Sequence, residues 1–354
     1  MKMAAAFQAE GISTLLVAYR GEGETHASGA LASLYGTRAD FAVRRLAGLR
    51  IRGAGGLYIA CAIGLSLLWR ADVIYTRGAR IAAAACAMRQ RTVLELHHAI
   101  EPHTRSARYM RRFLASRHAV RLVVITEALR RRVLKDFDCA PHLVVVAPDG
   151  ADAIEPSAKT SVQRPQSDLF RVGYVGHLYP GKGMELIEAL AKRLDWARFV
   201  VVGGTEKDLA YWRRRTRSQS NIAFEGYVVH AQVASHLASF DAALLPNRAT
   251  VAAYGSPSLD IGPWTSPLKA FEYMAAGLPI VASDQENLRE VLMHDDNALL
   301  CPTDDVDAWV AALEKLRDDT GLRRRLGETA RARFLERYTW TNRARMLIDM
   351  MMRE

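Results

Sequence analysis

Cysteine is scarce in this sequence, and the few cysteines are scattered. The four cysteines of the 354 residues are Cys61, Cys86, Cys139 and Cys301. No CxxC pair and no histidine at zinc-ligand spacing accompanies them, which argues against a disulfide framework and a zinc site and favours a reducing, cytoplasmic setting. Long apolar runs are also missing: the longest, GGLYIACAIGLSLLW at 55–69, is shorter than the ~20 residues that cross a bilayer. We expect this run to form a buried helix, with an interfacial membrane helix as the alternative.

Acidic residues are few in the first half of the chain. Residues 1–165 carry 24 Lys and Arg against 13 Asp and Glu, whereas residues 166–354 carry 24 against 25. The arginines cluster at 44–52, 105–121 and 130–132. Such a surface attracts phosphate groups, so it is interpreted either as a solvated face or as a contact for anionic membrane lipid or a lipid-phosphate substrate. Nucleic acid is not expected, because the aromatic and basic strand pattern that stacks bases is absent.

Short apolar strands alternate with helical segments, from ISTLLVAY at 12–19 to NALLC at 297–301. This alternation predicts an α/β fold with parallel sheets covered on both faces by helices. The polar stretch 151–168 has the composition of a linker. We therefore predict two Rossmann-like doubly wound domains, 1–155 and 166–335, facing a cleft, with ligands at the carboxyl ends of the strands. The N-terminal domain opens with a helix, MKMAAAFQAEG, so its usual first strand is expected to be absent.

The segment GHLYPGKG at 176–183 follows a predicted strand and precedes a predicted helix. Gly176, Gly181 and Lys182 match a phosphate-binding P-loop, but Gly183 stands where that loop has Ser or Thr. The glycines allow backbone N–H groups to approach an anion, and Lys182 adds charge near the positive end of the next helix. Because the magnesium-binding hydroxyl is missing, we expect an anion site without a metal rather than a nucleotide hydrolase. A structural turn is the alternative.

A second constellation is TSPLKAFEYMAAGLPIVASD at 265–284. Ser266 as N-cap and Gly277 after the end predict a helix of about ten residues. The spacing assigns its core face to Leu268, Phe271 and Ala275. Lys269 and Glu272 share a different face. A lysine in the first turn opposes the helix dipole, which suggests that it compensates an anion; a surface Lys–Glu pair is the alternative.

These two stretches, followed by NLREVL at 287–292, resemble the donor-binding half of glycosyltransferase family 4, whose members are retaining enzymes of GT-B fold. The resemblance covers residues 166–354 closely and the first half more loosely. It implies a GT-B fold with a helix at 336–354 that returns to the N-terminal domain. It also implies transfer of a sugar from a UDP or GDP sugar to a hydroxyl acceptor in cell-envelope glycan or polysaccharide synthesis, without metal or other cofactor. With the basic first half, it predicts a polysaccharide or lipid-linked acceptor and peripheral contact with the inner face of the cytoplasmic membrane.

The resemblance also implies roles for single residues. Lys182 would neutralise the donor diphosphate, Glu272 would bind the ribose hydroxyls, and the N–H groups of Leu268 and Lys269 would hold phosphate oxygens. In the first half, LELHHAI resembles the family's strand-end histidine that contacts the donor sugar, which corresponds to His97. The predicted catalytic residues are His97 and Glu272, and the predicted donor-binding residues are Gly176, His177, Lys182, Gly183, Ser266, Leu268, Lys269 and Glu272.

Three departures from the family pattern keep alternatives open. Trp264 stands where the first of two paired glutamates is usual, and His177 stands where many members have arginine. The diphosphate charge then falls to Lys182 together with Lys269 or Arg248. The glycine-rich loop after the first strand is also absent. A GT-B nucleotide-sugar epimerase and a catalytically silent nucleotide-sugar-binding protein therefore remain as alternatives.

Overall fold

The computed structural model describes residues 1–20, 36, 41–47, 54–154, 169–253, 256–260, 262–264, 266 and 268–352. These residues belong to two compact units, Met1–Pro148 with Trp340–Glu354, and Asp149–Thr339. Each unit contains a parallel sheet with apolar side chains packed against it. The predicted α/β fold with parallel sheets is confirmed.

The first unit alternates strands and helices. Its elements up to Pro148 are α1 (Lys2–Ala9), β1 (Leu15–Arg20), β2 (Ala42–Ala47), α2 (Ala54–Leu68), β3 (Ile74–Thr76), α3 (Ala79–Ala87), β4 (Thr92–Leu96), α4 (Arg105–Leu114), β5 (Ala119–Val124), α5 (Glu127–Asp136) and β6 (Val144–Val146). Strands β3 to β6 form a parallel sheet in chain order, and β1 pairs in parallel with β2. Strand β2 was not predicted, because its sequence AVRRLA carries two arginines and lacks a continuous apolar run.

The apolar run at 55–69 forms a helix, α2, as predicted, but the prediction that this helix is buried is wrong. Of its described side chains only that of Ile63 is buried, whereas Leu57 is 54% and Leu68 is 83% exposed, and Trp69 just after it is 41% exposed. The apolar composition of a helix shows which side chains are suited to burial. Whether they are buried depends on which neighbouring elements pack against the helix. Across the part of the chain that the structure describes, no helix is long and apolar enough to cross a membrane.

The second unit is a doubly wound domain. Its elements are β7 (Phe170–Val175), α6 (Met184–Arg193), β8 (Ala197–Val202), α7 (Glu206–Arg215), β9 (Ile222–Gly226), α8 (His230–Leu237), β10 (Ala242–Leu245), β11 (Ala252–Ala253), β12 (Ser256–Asp260), α9 (Leu268–Ala275), β13 (Ile280–Ser283), α10 (Glu286–Arg289), β14 (Leu299–Cys301), α11 (Val306–Asp318) and α12 (Thr320–Arg333). Six of the strands form a parallel sheet in the order β14-β13-β10-β7-β8-β9. The chain order therefore reverses between β7 and β10, and in such sheets ligands bind at this switch point.

Alternation along the strands produces a core on each face of this sheet. Val172 and Tyr174 of β7 face one core, and Val175 faces the other. Continuous apolar strands are required here because helices cover both faces. Of the predicted linker, residues 151–154 are described and 155–168 lie outside the described residues.

The chain ends in helices, as the sequence predicts. After α12 a π-helical turn, Phe334–Tyr338, leads to α13 (Trp340–Met352). Helix α13 belongs to the first unit, where its Ala344 and Leu347 pack with Phe7 of α1 and with Val93 and Val123 of the sheet.

Candidate functional site

The loop GHLYPGKG leaves β7 at the switch point and leads into α6, and it tolerates only glycine at two positions. Gly181 has φ +88° and Gly183 has φ +85°, a left-handed conformation that side chains with a Cβ rarely adopt. A Cβ on Gly183 would lie 2.0 Å from the carbonyl oxygen of Pro246, and one on Gly181 would lie 2.4 Å from that of Thr250. The chain after β10 therefore presses directly on the loop, and a serine or threonine at 183 does not fit.

Two lysines border this loop, one from the loop itself and one from α9. The side chain of Lys182 is almost buried, with its residue 8% exposed, and its Nζ lies 5.2 Å from the ring centroid of Tyr179. Lys269 Nζ donates a hydrogen bond of 2.9 Å to Tyr174 Oη and lies 4.1 Å from the centroid of that ring. Lys269 Nζ is also 3.2 Å from where a Cβ on Gly176 would stand. Lys269 of α9 therefore lies directly against the start of the loop.

The positive charges of the site disfavour one another. Burial lowers the pKa of Lys182 to about 8. Burial, and then the charge of Lys182, hold the pKa of Lys269 well below its ordinary value. The pKa of His177 is lowered by burial and then by both lysines. An anion bound here would be attracted by each of these groups and would relieve their repulsion.

Arg248 was the other candidate for balancing the diphosphate charge beside Lys182. Its backbone N–H donates to Gly181 O at 2.9 Å, but its exposed guanidinium lies 3.6 Å from the Asp304 carboxylate. The charge of Lys182 acts on Lys269, whereas the guanidinium of Arg248 pairs with Asp304.

Helix α9 ends as predicted, with Gly277 at φ +67°, but the prediction that Leu268 lies on its core face is wrong. Leu268 is 49% exposed, while Phe271 and Ala275 are buried as expected. The buried positions are Ala270, Phe271, Tyr273, Met274 and Ala275. At 3.6 residues per turn Leu268 lies roughly 120° from the centre of that face, which three apolar positions alone did not define.

The remaining predicted residues of α9 lie at its start and on its more open face. Ser266 is buried, and its Oγ accepts a 3.4 Å hydrogen bond from Asp149 N; Pro267 lies outside the described residues. The side chain of Glu272 is 21% exposed, and its carboxylate lies 3.9 Å from His230 Nδ1. In any α-helix the first-turn N–H groups lack intrahelical partners, so those of Leu268 and Lys269 can bind an anion.

His97 lies in the first unit, directly after β4. Its Nε2 is 2.5 Å from Oε1 of Glu95, a residue whose side chain is fully buried. The neighbouring His98 is exposed.

Sequence reasoning did not select Glu95 or the tyrosines of the site. Glu95 carried a usable signal, because it is a charged residue inside the otherwise apolar strand TVLEL. Tyr273 Oη accepts the backbone N–H of Val175 at 2.9 Å and so joins α9 to β7. Tyr174 and Tyr273 gave no comparable signal, because aromatic residues in strands and helices usually serve packing.

We expect nucleoside diphosphates to bind more weakly as the pH rises from 7.5 to 9.5. Burial lowers the pKa of Lys182 to about 8 in the free protein, and a bound anion favours the charged form of this lysine. The affinity is therefore highest below pH 8 and falls above it by up to about tenfold per pH unit. The phosphate groups are already ionised in this range, because their second pKa is about 6. Titration calorimetry in buffers of different ionisation enthalpy should show proton uptake on binding near pH 8; a pH-independent affinity without proton uptake would contradict this site.

Comparison with known proteins gives consistent results. Residues 170–319 match the family model described as Glycosyl transferases group 1. The chain is 25% identical to a glycogen synthase of Mycobacterium tuberculosis over 297 residues, which is 78% of this chain and 68% of that protein. It is 31% identical to a phosphatidyl-myo-inositol mannosyltransferase of Mycolicibacterium smegmatis over 172 residues, 46% of this chain and 39% of the relative.

The fold is found in solved structures. HepE from Anabaena, in a structure with UDP and glucose, superimposes with a TM-score of 0.75 at 19% identity and covers 100% of this chain and 96% of its own. The chain therefore has the α/β fold of GT-B glycosyltransferase structures, and its residues 170–319 match the family model Glycosyl transferases group 1.

Proposed function

We propose that the protein is a retaining glycosyltransferase of family 4 that transfers a sugar from a UDP or GDP sugar to a hydroxyl acceptor. The observation that carries this proposal is that Lys182 of the glycine loop and Lys269 against the start of that loop lie together at the switch point of the six-stranded sheet. Cleavage of a nucleotide sugar leaves negative charge on the diphosphate, and preorganised positive groups at that position lower the barrier.

The reaction breaks the bond from the anomeric carbon to the diphosphate oxygen and forms a bond to the acceptor oxygen on the same face of the sugar. The acceptor hydroxyl gives its proton to the departing diphosphate. Lys182, Lys269 and the first-turn N–H groups of α9 hold the diphosphate, and Glu272 accepts hydrogen bonds from the ribose hydroxyls. The lysines supply the positive charge that a metal ion supplies in other transferases, so the proposal needs no resident metal. His97 contacts the donor sugar.

The proposal is tested with UDP-glucose, GDP-mannose and the free diphosphates as probes. Binding of the correct diphosphate at 100 times its Kd should stabilise the protein by roughly 2.7 kcal/mol in thermal unfolding. Without acceptor, slow hydrolysis of the matching sugar nucleotide should release, in early NMR spectra, a sugar of unchanged anomeric configuration. An inverted sugar would exclude retention, an epimerised nucleotide sugar would favour the epimerase, and binding without turnover would favour the silent binding protein.

On the acceptor side we propose a lipid-linked or polysaccharide hydroxyl, reached from the cytoplasmic face of the membrane. The relative from Mycolicibacterium smegmatis is named a phosphatidyl-myo-inositol mannosyltransferase. In this chain α4 carries exposed arginines, among them Arg105, Arg108 and Arg112, and α2 carries exposed apolar side chains; both kinds of side chain bind anionic membranes. Membrane contact is tested by cosedimentation with vesicles of phosphatidylglycerol, which is anionic, and of phosphatidylcholine. Binding at low salt to the phosphatidylglycerol vesicles but not to the phosphatidylcholine vesicles would support the membrane contact. The hydrolysis assay without acceptor can be repeated with both kinds of vesicle.

A further inference from the structure

Glu95 is a carboxylate in the middle of a completely buried strand. All five residues of β4 are buried, and the Glu95 side chain has no exposed surface. A buried charge is tolerated only when it is paired and hydrogen-bonded. Glu95 Oε2 accepts a short hydrogen bond from Tyr75 Oη. Glu95 Oε1 faces His97 Nε2 at 2.5 Å, Arg343 Nη2 at 3.2 Å and Arg77 Nη2 at 3.3 Å.

Arg343 is the buried counter-charge, and it comes from the far end of the chain. It lies on α13, 248 residues after Glu95, and is only 2% exposed. Its guanidinium also donates to Pro148 O at 2.8 Å and to Ala147 O at 3.1 Å. Because a guanidinium is planar and always charged, these carbonyls fix the direction from which it meets Glu95.

The chemistry of this cluster determines where one proton lies. Burial alone would raise the pKa of Glu95, but the hydrogen bond from His97 and the charges of Arg343 and Arg77 outweigh it and hold that pKa well below its usual range. An ionised carboxylate accepts hydrogen bonds and donates none. Tyr75, Arg343 and Arg77 donate to this carboxylate and favour its charged form independently of His97. The hydrogen between Glu95 Oε1 and His97 Nε2 therefore belongs to the imidazole.

We propose that Glu95 is a positioning residue that fixes the ring of His97 with its hydrogen on Nε2, and that Arg343 holds Glu95 in place for this task. With Nε2 committed to Glu95, Nδ1 is the ring nitrogen that presents its lone pair or hydrogen to other groups. A tautomer fixed by a carboxylate is a common arrangement for functional histidines. The consequence for catalysis rests on the proposed function, in which His97 contacts the donor sugar, whereas the tautomer does not.

The tautomer is tested first, by NMR of the full chain with 15N-labelled histidine. We expect a ring N–H signal, shifted downfield and protected from exchange, that disappears in His97→Ala. Glu95→Gln should move this signal upfield or broaden it, and Arg343→Met should change it more than Arg343→Lys does. Arg345→Met is the matched control. Arg345 lies on the same helix as Arg343, but its side chain is exposed and pairs with Glu10, so this substitution should leave the signal unchanged. Absence of this signal from the wild type would overturn the proposal, and that result does not depend on whether the buried variants fold. A signal that Glu95→Gln leaves unchanged would also overturn it.

Kinetics test the catalytic consequence. With UDP-glucose or GDP-mannose, whichever the wild type cleaves, Glu95→Gln should lower kcat about 10- to 100-fold and leave the affinity for the free diphosphate within twofold. The double variant Glu95→Gln/His97→Ala should be no slower than His97→Ala, since both changes act through one ring. Multiplicative losses in the double variant, or an unchanged kcat in Glu95→Gln, would overturn the positioning role. Failure of the wild type to bind or cleave either nucleotide sugar would instead contradict the proposed function, and the NMR result would still decide the tautomer.

Discussion

Lys182→Ala is expected to weaken nucleoside diphosphate binding by roughly 30- to 150-fold. A hydrogen bond to a charged group contributes about 2–3 kcal/mol, and each 1.4 kcal/mol is a factor of ten in affinity. The effect should reach this size because Lys182 is almost buried and its charge acts with little screening by solvent. Titration calorimetry with UDP and GDP at pH 7 measures it directly.

The same substitution should not weaken the fold. The pKa of Lys182, lowered to about 8 by burial, means that keeping it charged costs stability at pH 7. That cost is full below pH 8, where the lysine is charged in both states, and fades between pH 8 and the unfolded value near 10.5. We therefore expect ligand-free Lys182→Ala to unfold at the same temperature as the wild type or at a higher one.

A matched control separates the site from general loss of positive charge. Lys192 lies on α6, the helix that follows the loop, but its side chain is 56% exposed and pairs with Glu188 at 2.7 Å. Lys192→Ala should bind UDP or GDP as the wild type does. Equal affinities of Lys182→Ala and the wild type would remove the loop from the donor site, and equal losses in both lysine variants would point to nonspecific attraction.

Gly183→Ser, which completes the P-loop motif, is expected to destabilise the second unit by roughly 2–5 kcal/mol. About 1–2 kcal/mol comes from placing a side chain at φ +85°, and about 1–3 kcal/mol comes from forcing a Cβ against Pro246 O, which is 2.0 Å away. The added hydroxyl should therefore not create a magnesium-dependent hydrolase. Scanning calorimetry should show an unfolding midpoint several degrees lower, together with weaker diphosphate binding.

Gly277→Ala is the control for the backbone part of this cost. Gly277 has φ +67°, but the nearest atoms to its Cβ position are 3.7 Å away, which is ordinary contact. Gly277→Ala should therefore have the cost of a side chain in the left-handed conformation but no steric clash, and it should lower the free energy of unfolding markedly less than Gly183→Ser does. Equal midpoints for Gly183→Ser and Gly277→Ala would mean that the chain after β10 does not constrain the loop.

Pattern and composition were sufficient for the α/β fold and the order of most elements. The strand AALL at 242–245 is a continuous apolar run, and a parallel sheet covered on both faces requires such runs. The sequence also predicted where α9 ends, because Gly277 lies just after this helix and has a positive φ. Strand β2 was not predicted because its two arginines interrupt the apolar run that is typical of a buried strand.

Burial was predicted less well than secondary structure. The run at 55–69 is apolar all round, so its periodicity could not show which side is covered, and most of its described side chains remain accessible. Leu268 has the spacing of a core residue, yet it lies at the edge of the buried face of α9. Exposure depends on neighbours that are distant in sequence, and no local pattern contains them.

By itself the sequence determined the succession of strands and helices and the presence of a glycine and lysine loop at the end of a buried strand, because both depend on local chemistry. Only the tertiary structure decided that Pro246 O leaves no room for a Cβ at Gly183, that Lys269 lies on Tyr174, and that Arg343 neutralises Glu95 beside His97. Each of these contacts joins residues more than 60 positions apart, so it exists only after the chain has packed, and the low-dielectric surroundings that give the charges their strength are created by the same packing.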